Sequence, residues 1–187
     1  MQILRKYSDF IDGVNDRIGV VTRWLALFMV LVGAVSAVVR YFARSQGWTL
    51  NLTPATEAQW YLFSIIFLLG AAYGLNHDVH VRVDVMYERM SAKTQAWIDL
   101  CGTLIFLLPF SLMMLYVSYP AVRASVDVRE MSPDPGGLPR WPIKVLILVS
   151  FALLVLQAIA QLVKQVDVIR GTVPELDHHE GEPEPHL

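Results

Sequence analysis

Four stretches of this 187-residue chain are apolar over nearly the length that a hydrocarbon bilayer demands. They are WLALFMVLVGAVSAVVRYF from Trp24 to Phe42, AQWYLFSIIFLLGAAYGL from Ala58 to Leu75, WIDLCGTLIFLLPFSLMMLYVSY from Trp97 to Tyr119, and WPIKVLILVSFALLVLQAIAQLV from Trp141 to Val163. A helix needs roughly 20 residues to cross a core about 30 Å thick. Lipid offers the backbone no hydrogen-bond partner, so each run has to satisfy its peptide groups internally, as a helix. Hydrophobic residues make up 55% of the chain and charged residues only 17%, against roughly 25% in soluble domains. A chain this short has too little interior to hide so much apolar surface. The sequence predicts an all-α integral membrane protein with four transmembrane helices.

The flanks of the runs agree with this reading. Trp24, Trp60, Trp97 and Trp141 stand at or near the four openings, as indole rings do where headgroups meet hydrocarbon. Arg40 and Lys144 sit in span ends, from which long basic side chains snorkel outward. Pro109 lies within the third run and should bend it by removing a backbone donor. Before the first span, Ile3, Leu4, Tyr7, Phe10, Ile11, Val14, Ile18 and Val21 recur at helical spacing. This predicts an amphipathic N-terminal helix over 1–23, lying along the membrane or against a partner; an extension of the first span is the alternative. Charges recur through Arg23 with no small-residue cleavage site, so the segment is expected to be retained. The four-helix domain then covers 24–164. Residues 165–187 form an acidic tail, whose last stretch, GTVPELDHHEGEPEPHL, carries no Lys or Arg and is expected to be disordered. Pro133, Pro135, Pro139 and Pro142 with Gly136-Gly137 mark the connector between the third and fourth spans as a loop. With four spans, nine Lys and Arg flank the end holding both termini and six the other. The bias favours cytoplasmic termini under the positive-inside rule.

The same residues exclude most chemistries. A net charge of −2 gives no field for nucleic acid. Haem ligation inside a four-helix protein needs histidines within helices, and all five lie in connectors or the tail. The lone Cys101 rules out thiol exchange within the chain and reads as a packing residue. Proton-coupled export needs an acid near mid-membrane, yet Glu57 and Asp99 fall near span ends. Gln157 and Gln161, one turn apart, suit hydrogen bonds to a neighbouring helix. No catalytic, cofactor-binding or metal-binding residue is assigned.

Between the second and third spans runs NHDVHVRVDVMYERM, residues 76–90. His77 and His80 have a spacing seen in helical metal pairs, but no second cluster completes a ligand set. The alternation of Val79, Val81, Val83 and Val85 with His80, Arg82 and Asp84 suits an extended segment, and a lone strand is unstable unless it pairs. A rim segment docked on a partner fits better, and a solvated connector stays open beside it.

Two stretches carry a resemblance. EAQWYLFSIIFLLGAAYGLNHDVHVRVDVMYERMS, Glu57 to Ser91, resembles the signature of the small, DctQ-type membrane subunit of tripartite ATP-independent periplasmic (TRAP) transporters. An acid and Trp open the span (Glu57, Trp60), Gly70-Ala71-Ala72 stand near its end, and His80-Val81-Arg82-Val83-Asp84 follow. SPDPGGLPRWPIK, Ser132 to Lys144, is similar to the loop of a subgroup labelled for mannitol and chloroaromatic compounds, related to 2-oxo acid systems. The resemblance implies a three-part, sodium-driven organic-acid importer. In it a periplasmic substrate-binding protein captures cargo, a large permease subunit moves it, and the small subunit braces the large one within the bacterial inner membrane. A partner interface is expected at the matching residues Glu57, Trp60, His80, Arg82 and Asp84, and the charged outward loop, with Arg129 and Arg140, is expected to contact the binding protein. The spans themselves offer no transport site, in agreement with the resemblance. A stand-alone small transporter and a membrane assembly protein are the rival readings.

Overall fold

The computed structural model describes residues 2–77 and 90–171. Helix α1 spans Gln2–Ser45, α2 spans Thr53–Asn76, α3 spans Ala92–Gly102, α4 spans Leu108–Asp127 and α5 spans Trp141–Ile169. A π-helical turn, Thr103–Leu107, joins α3 to α4, so that Ala92–Asp127 forms one crossing. Among the described residues four helices are thus long and apolar enough to span a membrane.

The helices run further than their apolar cores. At 1.5 Å per residue the 44 residues of α1 measure about 66 Å, roughly twice the hydrocarbon thickness. The amphipathic segment 1–23 and the first span are therefore one unbroken rod. Helix α4 continues through Pro120 to Asp127, beyond the expected end at Tyr119, and α5 carries Gln165 and Asp167 past the expected start of the tail. Residues 172–187 lie outside the described residues. Ahead of Pro109 the Leu108 amide bonds the Thr103 carbonyl, five residues back. The wider turn makes room for a ring that has no amide hydrogen and crowds the preceding turn of an α-helix. The ends of α1 and α4 are closed by left-handed residues. Gly47 (φ 69°) ends α1, with the Trp48 amide bonding the Ala43 carbonyl, and Arg129 (φ 47°) ends α4, with the Glu130 amide bonding the Ser125 carbonyl at 3.0 Å.

Helix α5 is the hub. It packs on every other helix; α1 and α2 also pack on each other, and the α3–α4 crossing attaches through α5. Its buried residues are Ser150, Gln157, Ala158, Ala160, Gln161, Gln165 and Asp167. Ala72 and Gly74 on α2 and Ser111 and Ser125 on α4 are buried as well. Small and polar residues at helix seams are what lipid selects, since burying leucine against another helix gains little over burying it in acyl chains. Accordingly only 11–22% of the most apolar stretch of each span is buried. Cys101 is exposed on α3, so its expected packing role is corrected: it faces outward with the other apolar residues of that turn.

Where α1, α2 and α5 meet, Gln157 is completely buried. It accepts from Asn15 Nδ2 at 2.5 Å and donates to Asp12 and Asn76, each at 3.0 Å. Lys164 reaches Asp12 at 2.7 Å and Asn76 at 3.1 Å, and Arg5 pairs with Asp167 at 2.7 Å. The face that α1 turns inward is therefore Ser8, Ile11, Asn15, Gly19 and Thr22. Of the expected apolar stripe, Leu4, Phe10 and Val21 point outward. The facing surface of α5 is polar, and polar groups removed from water need partners more than apolar ones need company. Gln157→Leu should remove three hydrogen bonds, leave the Asn15 amide without its acceptor, and lower stability by about 1–2 kcal/mol. This is measurable as a reduced thermal midpoint in mild detergent, and the lipid-facing Leu31→Ala should leave the midpoint unchanged.

Candidate functional site

At the opposite end of α2 the chain builds a clamp around one carboxylate. Thr53 opens the helix with Pro54 in its first turn, and Glu57 follows one turn later, 2% exposed. Above it residues 130–140 fold back as a hairpin. The Arg140 amide bonds the Glu130 carbonyl at 2.8 Å, the Ser132 amide bonds the Leu138 carbonyl at 3.1 Å, and Met131 pairs with Pro139. Prolines leave few amides for such a ladder, so the turn closes on Gly136 (φ 77°) and on the Gly137 amide, which bonds the Asp134 carbonyl at 3.0 Å.

Glu57 holds both arms of this hairpin. One oxygen accepts from Ser132 Oγ and the other from the Leu138 amide. Both partners are donors, so the ionised acid fits the site without reorientation. Gly137 lies so close that a Cβ there would sit 2.8 Å from Glu57 Oε2 and nearer still to Ser132 Cβ. Tyr61, one turn along α2, donates to the Pro139 carbonyl at 3.2 Å, and Asn51 Nδ2 donates to the Pro135 carbonyl at 2.9 Å. Arg140 lies 5.9 Å from the Trp60 ring, within range of cation–π attraction. The hairpin base is pinned separately. Glu130 accepts from Lys144 Nζ and, at 2.6 Å, from Ser125 Oγ. These donors hold its pKa below the usual carboxylate range. Lys144 thus turns to Glu130 at the rim, as a snorkelling lysine should.

Three of the expected interface residues, Glu57, Trp60 and Arg140, come together in this clamp. Arg129 stands apart, exposed at the end of α4. Its left-handed backbone, favoured by glycine and costing other residues roughly 1 kcal/mol, presents a basic side chain at the rim. His80, Arg82 and Asp84 lie outside the described residues. Ser132, Leu138 and Tyr61 were not singled out by sequence reasoning. The available signal was the Gly-Gly turn among prolines, which marks a tight backbone approach without saying to what. Beside the clamp, Arg40, Thr53, Thr56, Glu57, Trp60 and Asp134 line an open depression of about 560 Å³.

A protein of four crossings held by small and polar seams is a multi-pass membrane protein, here with a buried carboxylate organising a loop at one end. Residues 29–168 match the family described as Tripartite ATP-independent periplasmic transporters, DctQ component. The chain belongs to that family, and is the small membrane subunit of a TRAP transporter, one component of a tripartite system with a larger membrane subunit and a binding protein. No curated protein and no solved structure matches it.

Two outcomes test the clamp. Glu57→Gln keeps the volume but sets an amide NH₂ against a donor. Loss of a charge-assisted bond worth about 1.5–3 kcal/mol should speed hydrogen exchange at the Leu138 amide at least tenfold. For Glu130, a folded pKa lowered below the unfolded one makes its contribution full above the ordinary carboxylate value and lost as pH falls through the lowered one. The hairpin should therefore hold from neutral pH to about pH 4.3 and loosen below it, read by proteolysis at Val128–Met131 across a pH series.

Proposed function

We propose that this chain is the fixed brace of a sodium-driven importer of organic acids, set in the bacterial inner membrane with both termini in the cytoplasm. In this reading the large permease subunit carries substrate and ion, and the helices described above widen the frame against which it moves. The supporting observation is where the chain keeps its polar groups. The Gln157 node ties helices to one another, the Glu57 clamp shapes a loop, and neither leaves carboxylates converging on a broken helix, as an ion or substrate site would require. The likeness of Ser132–Lys144 to the mannitol and chloroaromatic subgroup favours an organic anion as cargo. The excess of Lys and Arg at the Asn76 end of α2 favours a cytoplasmic position for that end.

The hairpin end then faces the periplasm, where it meets the substrate-binding protein. Arg129 is the rim cation suited to that encounter, because it is exposed and free of the clamp, whereas Arg140 is engaged with Trp60. Rim charges change encounter rates more than final affinity. Arg129→Glu should lower uptake several-fold at limiting binding protein and little at saturation, in liposomes holding the assembled transporter. Equal uptake at every concentration would remove Arg129 from the encounter. The brace itself is tested by purification. The large subunit should co-elute with this chain from mild detergent, and this chain alone in liposomes should move no solute; accumulation against a gradient by the isolated chain would establish the stand-alone transporter instead.

A further inference from the structure

Helix α4 is the second half of the Ala92–Asp127 crossing. Among the described residues its main packing partner is α5, and Phe110, Met113, Tyr116 and Val117 are exposed along it. Between α4 and α5 lies a groove of about 610 Å³, walled by Leu112, Leu115, Tyr116 and Tyr119 and by Leu148 and Ala152. Pro120 lines it as well. No charged side chain lines it, and it runs within an apolar crossing, so an occupant comes from inside the bilayer.

The groove is nevertheless not purely apolar. Proline has no amide hydrogen, so Pro120, inside α4, cannot supply the donor that the Tyr116 carbonyl receives in a regular helix. The phenols of Tyr116 and Tyr119 stand beside it with no hydrogen-bond partner among the described residues. In hydrocarbon such a concentration of acceptor and hydroxyl groups is costly unless a neighbour answers it. An acyl chain brings no donor. A transmembrane helix bearing a hydroxyl, amide or indole group brings one, and the small side chain of Ala152 on the groove wall lets it approach closely. Resting on the bracing function above, we infer that the α4–α5 groove seats a transmembrane helix of the large permease subunit, which presents a hydrogen-bond donor to the Tyr116–Pro120 turn. The α1 side of the protein is then left to lipid.

Photocrosslinking in membranes containing the complete transporter tests this. With p-benzoylphenylalanine at Leu112 or Leu148, illumination should give an adduct with the large subunit. The same residue at Val35 or Phe28, exposed on α1, should give at least tenfold less. Adducts confined to α1, a dimer of this chain, or lipid adducts alone from the groove would each overturn the assignment. Co-elution of the large subunit separates the two levels: if it persists while groove adducts are missing, the groove is wrong and the brace stands; if it is lost in the unlabelled transporter, the brace itself fails. Ala152→Phe, which fills the groove, should cut recovery of the large subunit at least tenfold, while Val35→Phe should not; equal recovery from both would also overturn the assignment. The purified Ala152→Phe chain should keep the thermal midpoint of the unmodified chain; with a lowered midpoint, the crosslinks from Leu112 and Leu148 alone decide.

Discussion

In hydrocarbon, two helices gain little by hiding leucine from each other, and every other feature of this protein follows from that. What is left to join them is close approach and hydrogen bonding. The chain supplies both on one element, α5, whose alanines and serine allow contact and whose Gln157 and Gln165 reach across it. Gln157 alone engages two other helices. The apolar bulk that dominates the composition is solvent-facing in the membrane sense, and it decides where the protein resides more than how it packs.

The polar structure divides between two ends with different tasks. At one end, Asp12, Asn15, Asn76, Gln157 and Lys164 join three helices into a unit that resists splaying. At the other, Glu57 is spent on a loop. A hairpin rich in proline and glycine has few amides and little side-chain packing of its own, so it keeps its shape only when something outside it organises it. A buried carboxylate accepting from both arms does this with a single residue. The family to which the chain belongs makes sense of the asymmetry, since one subunit of a larger membrane assembly has to be firm in its frame and defined at its surface.

Much of this was legible in the sequence, for definable reasons. Long apolar runs have one solution in lipid, so the four crossings were readable from length alone. Gln157 stood out because an amide inside a span has few other uses. Glu57, Trp60 and Arg140 were readable as candidate residues from a likeness to known sequences, but their coming together in the fold was not. What was not legible depends on partners distant in the chain. The inward face of α1 could not be inferred from its apolar periodicity, because that face is chosen by the polar side chains of α5 opposite it. The role of Ser132 depends on a carboxylate in another helix. The continuation of α4 through Pro120 runs against local preference and depends on flanking turns and on its seam with α5.

The π turn ahead of Pro109 has a further consequence, in the phasing of the crossing. The small residues on the inward stripe of α3 and α4 advance by heptads from Ala96 to Thr103, and again from Ser111 through the half-buried Ser118 to Ser125. Between Thr103 and Ser111 there is one residue more, and the turn Thr103–Leu107 absorbs it. Each residue rotates an α-helix by about 100°, so an unbroken helix would carry the stripe past α5 and bring Phe110 into the place that Ser111 holds. The irregular turn works like a leap day, restoring the calendar of the helix so that its second half meets the same neighbour as its first.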